Sequence, residues 1–163
     1  MEDLAATVRH SLTTLLRELI EGPPGPEAFV LNPGDRGLLA SLDALSATDA
    51  SERVSGRSSV AAHVDHLRYG LELLNRWTRG ENPWRDADFA PSWKREVVDD
   101  AQWRELRAAL AHESRAWLAT TAQRCDWDEA GLTAALASAV HLAYHLGAIR
   151  QIQRGAIGPR ESG

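Results

Sequence analysis

Apolar residues recur every three or four positions through long stretches of this chain, and no stretch alternates with period two for long enough to be a strand. That pattern restricts the fold to helices packed through apolar stripes. Clusters of Pro and Gly mark the joints between them. A first helix is expected from Asp3 to Glu21, ending at GPPGP, with Leu4, Val8, Leu12, Leu15 and Leu19 as its buried stripe. A short helix is expected near Asp35 to Leu45, where Leu38, Leu39, Leu42 and Leu45 would pack across the end or flank of a bundle. A second long helix starts at Ser58 or Ser59, either of which can cap it, and runs to about Thr78 before RGENP. Asn82 to Val98 reads as a long connection carrying Trp84, Phe89 and Trp93. A third helix starts at Asp99 or Asp100 and reaches Gln123. A turn through CDWDEAG then leads to a fourth helix from Glu129 to Gln153. The expected fold is all-α: one domain over residues 1–163, an antiparallel four-helix bundle with one long crossover connection.

Composition narrows the partners. The 163 residues are 44% hydrophobic and 25% charged, ordinary for a globular chain with a sizeable core. A formal net charge of -5 argues against nucleic acid as a partner, because such binders carry a basic excess. Lys94 is the only lysine, and arginine supplies the remaining positive charge. No apolar run reaches the roughly 18 residues that span a bilayer, so no membrane is expected. The start, MEDLAATVRH, is charged and amphipathic and does not read as a signal peptide, which leads to the expectation of a cytoplasmic protein. Cys125 is the single cysteine, which excludes an internal disulfide and a multi-cysteine zinc site.

The six histidines divide by helix face at about 100° per residue. His10 lies away from the leucine stripe of the first helix. His112 lies opposite the stripe Trp103, Leu106, Leu110 and Trp117 of the third, so both are expected on the surface. On the second helix Val60, Val64, Leu67, Leu71 and Leu74 form the core stripe, and Asp65, Arg68, Glu72, Asn75 and Arg76 a polar arc. His63 sits beside the apolar stripe, and His66 lies further round with Gly70, Leu73 and Trp77; both avoid the charged arc. In HLAYHLGAIR on the fourth helix, His141 and His145 share a face with Ala134, Ala137, Ala148 and Ile152, small residues that leave room inside a bundle.

Four inward imidazoles on two helices need a common reason, since a buried polar group without a partner costs roughly 1–3 kcal/mol. A cation supplies it, because neutral imidazole is a ligand for zinc, nickel, iron and copper. The i, i+4 spacing of His141 and His145 puts their Cβ atoms roughly 5–6 Å apart, close enough to grip one ion. A third ligand from another helix would leave a position for water or substrate. The zincin pattern is excluded, because it needs glutamate directly after the first histidine and Leu142 stands there. Glu113, between Leu110 and Trp117 on the third helix, is a candidate base whose simpler reading is a rim carboxylate.

SVAAHVDHLRYGLELLNRW followed some 60 residues later by HLAYHLGAIRQ resembles the DinB/YfiT-like superfamily over most of the chain. The resemblance implies an up-down-down-up four-helix bundle holding a divalent metal, zinc or nickel, with three histidines. It assigns His66, in its histidine-leucine pair, and the HxxxH pair His141 and His145 as ligands. His63, one turn earlier, is not the usual ligand; an alternative ligand, a group supporting a ligand and a substrate contact all stay open for it. Many members carry glutamine three residues after the last histidine; here Ala148 stands there, which bears on any function needing that amide.

Relatives of this kind include transferases or isomerases that use a low-molecular-weight thiol such as bacillithiol or mycothiol, and metal-dependent hydrolases. A three-histidine ion suits both, since it lowers the pKa of a bound water and binds a thiol as thiolate. The expected partner is a small-molecule substrate, with such a thiol as its companion, and pairing into a homodimer is compatible with the fold. A non-catalytic, metal-stabilised bundle is the competing expectation. Cys125, in an interhelical turn far in sequence from the histidines, reads as incidental. Trp84 and Trp93 are expected near a site mouth, and Trp77, Trp103, Trp117 and Trp127 in packing. Arg68 and Arg150 are expected as solvated charge, with an anionic substrate as their alternative use.

Overall fold

The computed structural model describes residues 4–54 and 56–154. Asp3, the expected first residue of the opening helix, lies outside them, as do the two ends of the expected 1–163 domain. The described residues form helices and no strands. Four are long: α1 (Leu4–Glu21), α4 (Val60–Thr78), α5 (Asp100–Gln123) and α6 (Glu129–Ile152). Between α1 and α4 lie two short ones, α2 (Leu38–Asp43) and α3 (Ala47–Ser51), where the sequence predicts one. Ser46 separates them. Its hydroxyl accepts from Asp49 N at 3.1 Å, and the Asp49 carboxylate takes Ser46 N at 2.9 Å, a reciprocal cap that starts a new helix.

α4, α5 and α6 start where side chains can satisfy their free N–H groups. Ser59 caps α4, accepting from Ala62 N at 3.3 Å. Asp99 and Gln102 form a capping box on α5. Asp128 caps α6 through Gly131 N at 2.7 Å. α1 stops at Gly22, whose φ of 103° ends the helix in the left-handed region. The chain then returns so that Gly37 lies on the backbone of Glu21 and Gly22, where a Cβ would sit 2.3 Å from Gly22 N.

α1 packs against α5 and α6, and α4 packs against the same two helices, with α2 laid across α1 and α5. The shared core holds the expected stripes of α4 (Val60, Val64, Leu67, Leu71, Leu74) and α5 (Trp103, Leu106, Leu110, Trp117). Leu38, Leu42 and Leu45 close one flank. Each leucine or isoleucine fully withdrawn from water contributes on the order of 2 kcal/mol. Trp117 is wholly buried and its Nε1 donates to Ser138 Oγ at 2.8 Å; Trp103 Nε1 donates to Leu45 O at 2.8 Å. Trp77 and Trp127 are half-buried and pack on the periphery of this core.

Three readings of the sequence need correction. The buried stripe of α1 is Leu12, Leu16, Leu19 and Ile20; Leu15 is half-buried and Leu4 is 75% exposed. Leu15 and Leu16 are adjacent, either can complete a three-four stripe, and tertiary packing selects Leu16. Glu18 turns inward beside them, 1% exposed, and its carboxylate accepts from the backbone N–H groups of Phe29, Val30 and Leu31 at 3.0, 2.8 and 2.6 Å. Part of the polar arc of α4 is also covered: Asp65 is buried under Arg68 (2.8 Å) and Arg95 (3.2 Å), and Asn75 is buried against Glu113 of α5. Finally, α6 is long and apolar enough, by length and composition alone, to cross a membrane. Here one of its faces packs on α1 and α4, and Leu136, Val140 and Tyr144 are exposed along another.

Candidate metal centre

α4 and α6 pack side by side, and this contact brings the inward histidines of both together. One ring nitrogen each of His66, His141 and His145 lies within 4.8 Å of the others. Ring centroids are 4.4 Å apart for His141–His145, 5.2 Å for His66–His141 and 5.1 Å for His66–His145. His145 Nε2 faces His141 Nε2 at 2.9 Å, and His145 Nδ1 faces His63 Nδ1 at 2.8 Å. His145 and His63 are buried; His66 and His141 are half-buried at the rim of the core. His10 and His112 are exposed, as expected.

The surroundings disfavour protonation of these rings. Burial pushes the His145 pKa down to about 3, and the neighbouring His141, His63 and His66 push it further the same way. His66 falls to about 4 by burial first, then by repulsion from His141 and His63, with Asp65 opposing. Burial lowers His141 and also His63, where the charge of Glu96 opposes it. A neutral imidazole carries the lone pair that a cation needs, and no proton has to be expelled to form the site.

The residues fit a divalent ion. Tetrahedral coordination at 2.0–2.1 Å places ligand nitrogens about 3.3 Å apart, within the 4.8 Å limit that holds one ring nitrogen of each residue together here. The donors are all imidazole nitrogen, suited to zinc, nickel, copper or iron rather than to magnesium or calcium. The three residues come from two helices, so the spacing rule for i, i+4 supplies only two of them and the α4–α6 contact supplies the third.

The connection between α4 and α5 covers the cluster. It contains two single turns of 3-10 helix, Pro83–Asp86 and Ala90–Trp93, the second packed on α4. Trp93 stacks on His66 with centroids 4.3 Å apart and planes at 28°, and meets His63 edge-on at 5.3 Å. Phe89 lies 5.5 Å from the His66 ring. Ser92 Oγ donates to Phe89 O at 2.7 Å and stands 3.2 Å from His66 Nδ1. Trp93 therefore touches the site directly, whereas Trp84 lines a cavity beside it.

That cavity, of about 260 Å³, is bounded by His141, Phe89, Trp84, Leu67, Gly70 and Ala134, so the small residues of α6 do leave room there. A second cleft of about 700 Å³ opens on the other side between His63, Trp93, Tyr144, Arg57 and Gln151.

Other candidates lie elsewhere. Glu113 accepts from Asn75 Nδ2 at 2.7 Å, and Asn75 is nine residues beyond His66, about 13 Å along α4, so Glu113 is a rim carboxylate and no base at this site. Arg68 is held by Asp65 and Glu72. Arg150 makes a two-pronged pair with Asp35 at 2.9 and 3.0 Å. Cys125 is exposed beside Arg9, in the turn before α6 and roughly 20 Å along that helix from His141. Ser92 carried no signal in the sequence: a serine in an irregular connection has no periodicity to assign it a direction.

No curated protein matches the chain, and no solved structure does. The family model of the DinB superfamily matches residues 35–149, which spans α2 to α6 and all four clustered histidines. An all-helical chain of this length, with imidazoles from α4 and α6 meeting at one point and a family match over most of its residues, belongs to the DinB superfamily.

Proposed function

We propose that this protein is a divalent-metal-dependent enzyme in which His66, His141 and His145 hold zinc or nickel and the site activates a small thiol for transfer to an electrophilic substrate. The antiparallel up-down-down-up bundle is part of the proposal, supported by four long helices of which α1 and α4 each pack on α5 and α6. The observation that carries the reading is the meeting of three imidazoles from two helices beside open cavities. When bound, the ion supplies Lewis acidity that makes a thiol or water more acidic. The chain's own contribution is to disfavour protonation of the rings through burial, to cover one face of His66 with Trp93, and to leave a largely apolar cavity beside His141 for the substrate.

The cavities favour catalysis over a purely structural ion, because a structural site is closed by its own ligands. Cytoplasmic location and a homodimer belong to the same proposal. The exposed stripe Leu136, Val140 and Tyr144 on α6 supports pairing with a second copy. Nickel- or cobalt-loaded protein titrated with a low-molecular-weight thiol tests the chemistry. A thiolate-to-metal charge-transfer band that saturates is expected. If no band forms while the loaded protein hydrolyses ester or amide probes, water is the activated group and the hydrolase reading replaces this one.

A further inference from the structure

We propose that His63 is a positioning residue for His145: its Nδ1 accepts a hydrogen bond from His145 Nδ1–H and so directs the lone pair of His145 Nε2 at the ion. This inference rests on the metal reading above and assigns a role to the one clustered histidine that reading leaves unused.

The two nitrogens of His145 are both engaged, and on opposite edges of the ring. Nε2 stands 2.9 Å from Nε2 of His141, another of the three candidate ligands. Nδ1 stands 2.8 Å from His63 Nδ1. A neutral imidazole carries one proton, and whichever nitrogen keeps it cannot bind a cation. With Nε2 as the ligand atom, the proton belongs on Nδ1. A buried Nδ1–H needs an acceptor, and His63 Nδ1 is at hydrogen-bond distance. His63 then carries its own proton on Nε2. An ion held at Nε2 of His145 would leave His63 at the other nitrogen of that ring, outside the coordination sphere.

His66 repeats the arrangement independently. The Ser92 hydroxyl donates to Phe89 O at 2.7 Å, so its oxygen is free to accept, and it lies 3.2 Å from His66 Nδ1. Two of the three proposed ligands thus have an acceptor within reach of Nδ1, which leaves Nε2 as the atom to face an ion. Acceptors at the far nitrogen orient metal-binding histidines in this way, and losing one costs about 10–100-fold in metal affinity. Here the acceptor for His145 is a neutral ring. It is 9% exposed, with the edge of Trp93 at 5.3 Å, so solvent is poorly placed to replace it.

The test compares wild type, His63→Leu and His63→Gln, each checked for folding by circular dichroism and titrated with zinc against a competing chelator. His63→Leu should bind zinc about 10–100-fold more weakly. His63→Gln, whose amide oxygen can accept the same proton, should recover most of the loss. Nitrogen-15 spectra of the zinc-loaded wild type should show His145 protonated at Nδ1. X-ray absorption should count the same number of imidazoles around zinc in wild type and His63→Leu. Equal affinity in wild type and His63→Leu, or a His145 ring protonated at Nε2, overturns the proposal. So does the loss of one imidazole from the zinc shell of His63→Leu, which would make His63 a ligand. A wild-type chain that binds no divalent ion instead defeats the underlying metal reading, and this inference with it.

Discussion

Acidification should destabilise the metal-free protein through its imidazole cluster, at pH values above those at which carboxylates titrate. His145 is held at about 3 and His66 at about 4, against an ordinary value of 6.5. Between those values the native chain binds fewer protons than the unfolded chain. The stabilising contribution is therefore complete above pH 6.5 and is lost as pH falls towards 4 and 3. Each ring that is neutral when folded and charged when unfolded removes about 1.4 kcal/mol per pH unit. From pH 6.5, where the unfolded ring is half-protonated, to pH 4.5 one such ring withdraws about 2 kcal/mol. His145 and His66 together withdraw at most about 5 kcal/mol, since neighbouring rings share protons. A domain typically has only about 5–15 kcal/mol to lose. Asp49, whose carboxyl is held below its ordinary 3.8 first by the Ser46 hydroxyl, contributes only in more acidic solution and stays outside this window. Urea titrations followed by tryptophan fluorescence, with chelator present, should show stability falling steeply from pH 6.5 to 4.5 in wild type. His145→Gln should show a slope smaller by about one ring. Equal stability at both ends of that range, or an unchanged slope in His145→Gln, would refute the cluster as the acid-sensitive element.

The fold makes further commitments. Glu18→Ala removes the acceptor of three backbone N–H groups and should cost about 3 kcal/mol in urea denaturation; a loss near zero would mean the loop at Phe29 to Leu31 is anchored otherwise. Gly37→Ala forces a Cβ to 2.3 Å from Gly22 N and should cost about 3 kcal/mol, read as a lowered melting temperature; a neutral result would contradict the close return onto α1. Trp117→Phe gives up the bond to Ser138 and part of the core volume, and should cost about 1–2 kcal/mol with the helical spectrum retained; no loss in denaturation would show the bond contributes nothing.

What the sequence made legible follows from periodicity. The stripes of α4 and α5 place Leu67 or Leu110 without ambiguity, and the same arithmetic turns His66, His141 and His145 inward and His10 and His112 outward. Periodicity fails where two registers are equally good, as at Leu15 and Leu16 of α1. It is blind to a polar residue satisfied by backbone: nothing in the sequence singles out Glu18, because its partners are peptide N–H groups with no side-chain signature. It is blind also to irregular segments. The stacking of Trp93 on His66 and the approach of Ser92 depend on how residues 82–98 lie over α4, which no spacing rule encodes. His63 is an intermediate case: its inward direction was readable, but its partner on another helix was not.

The most direct measurement is the divalent metal content of the full chain, purified without an affinity tag, beside His66→Ala and His141→Ala prepared identically. Stoichiometric zinc or nickel in wild type and little in either variant is the predicted result. The same metal content in all three proteins would contradict the claim that α4 and α6 share one ion.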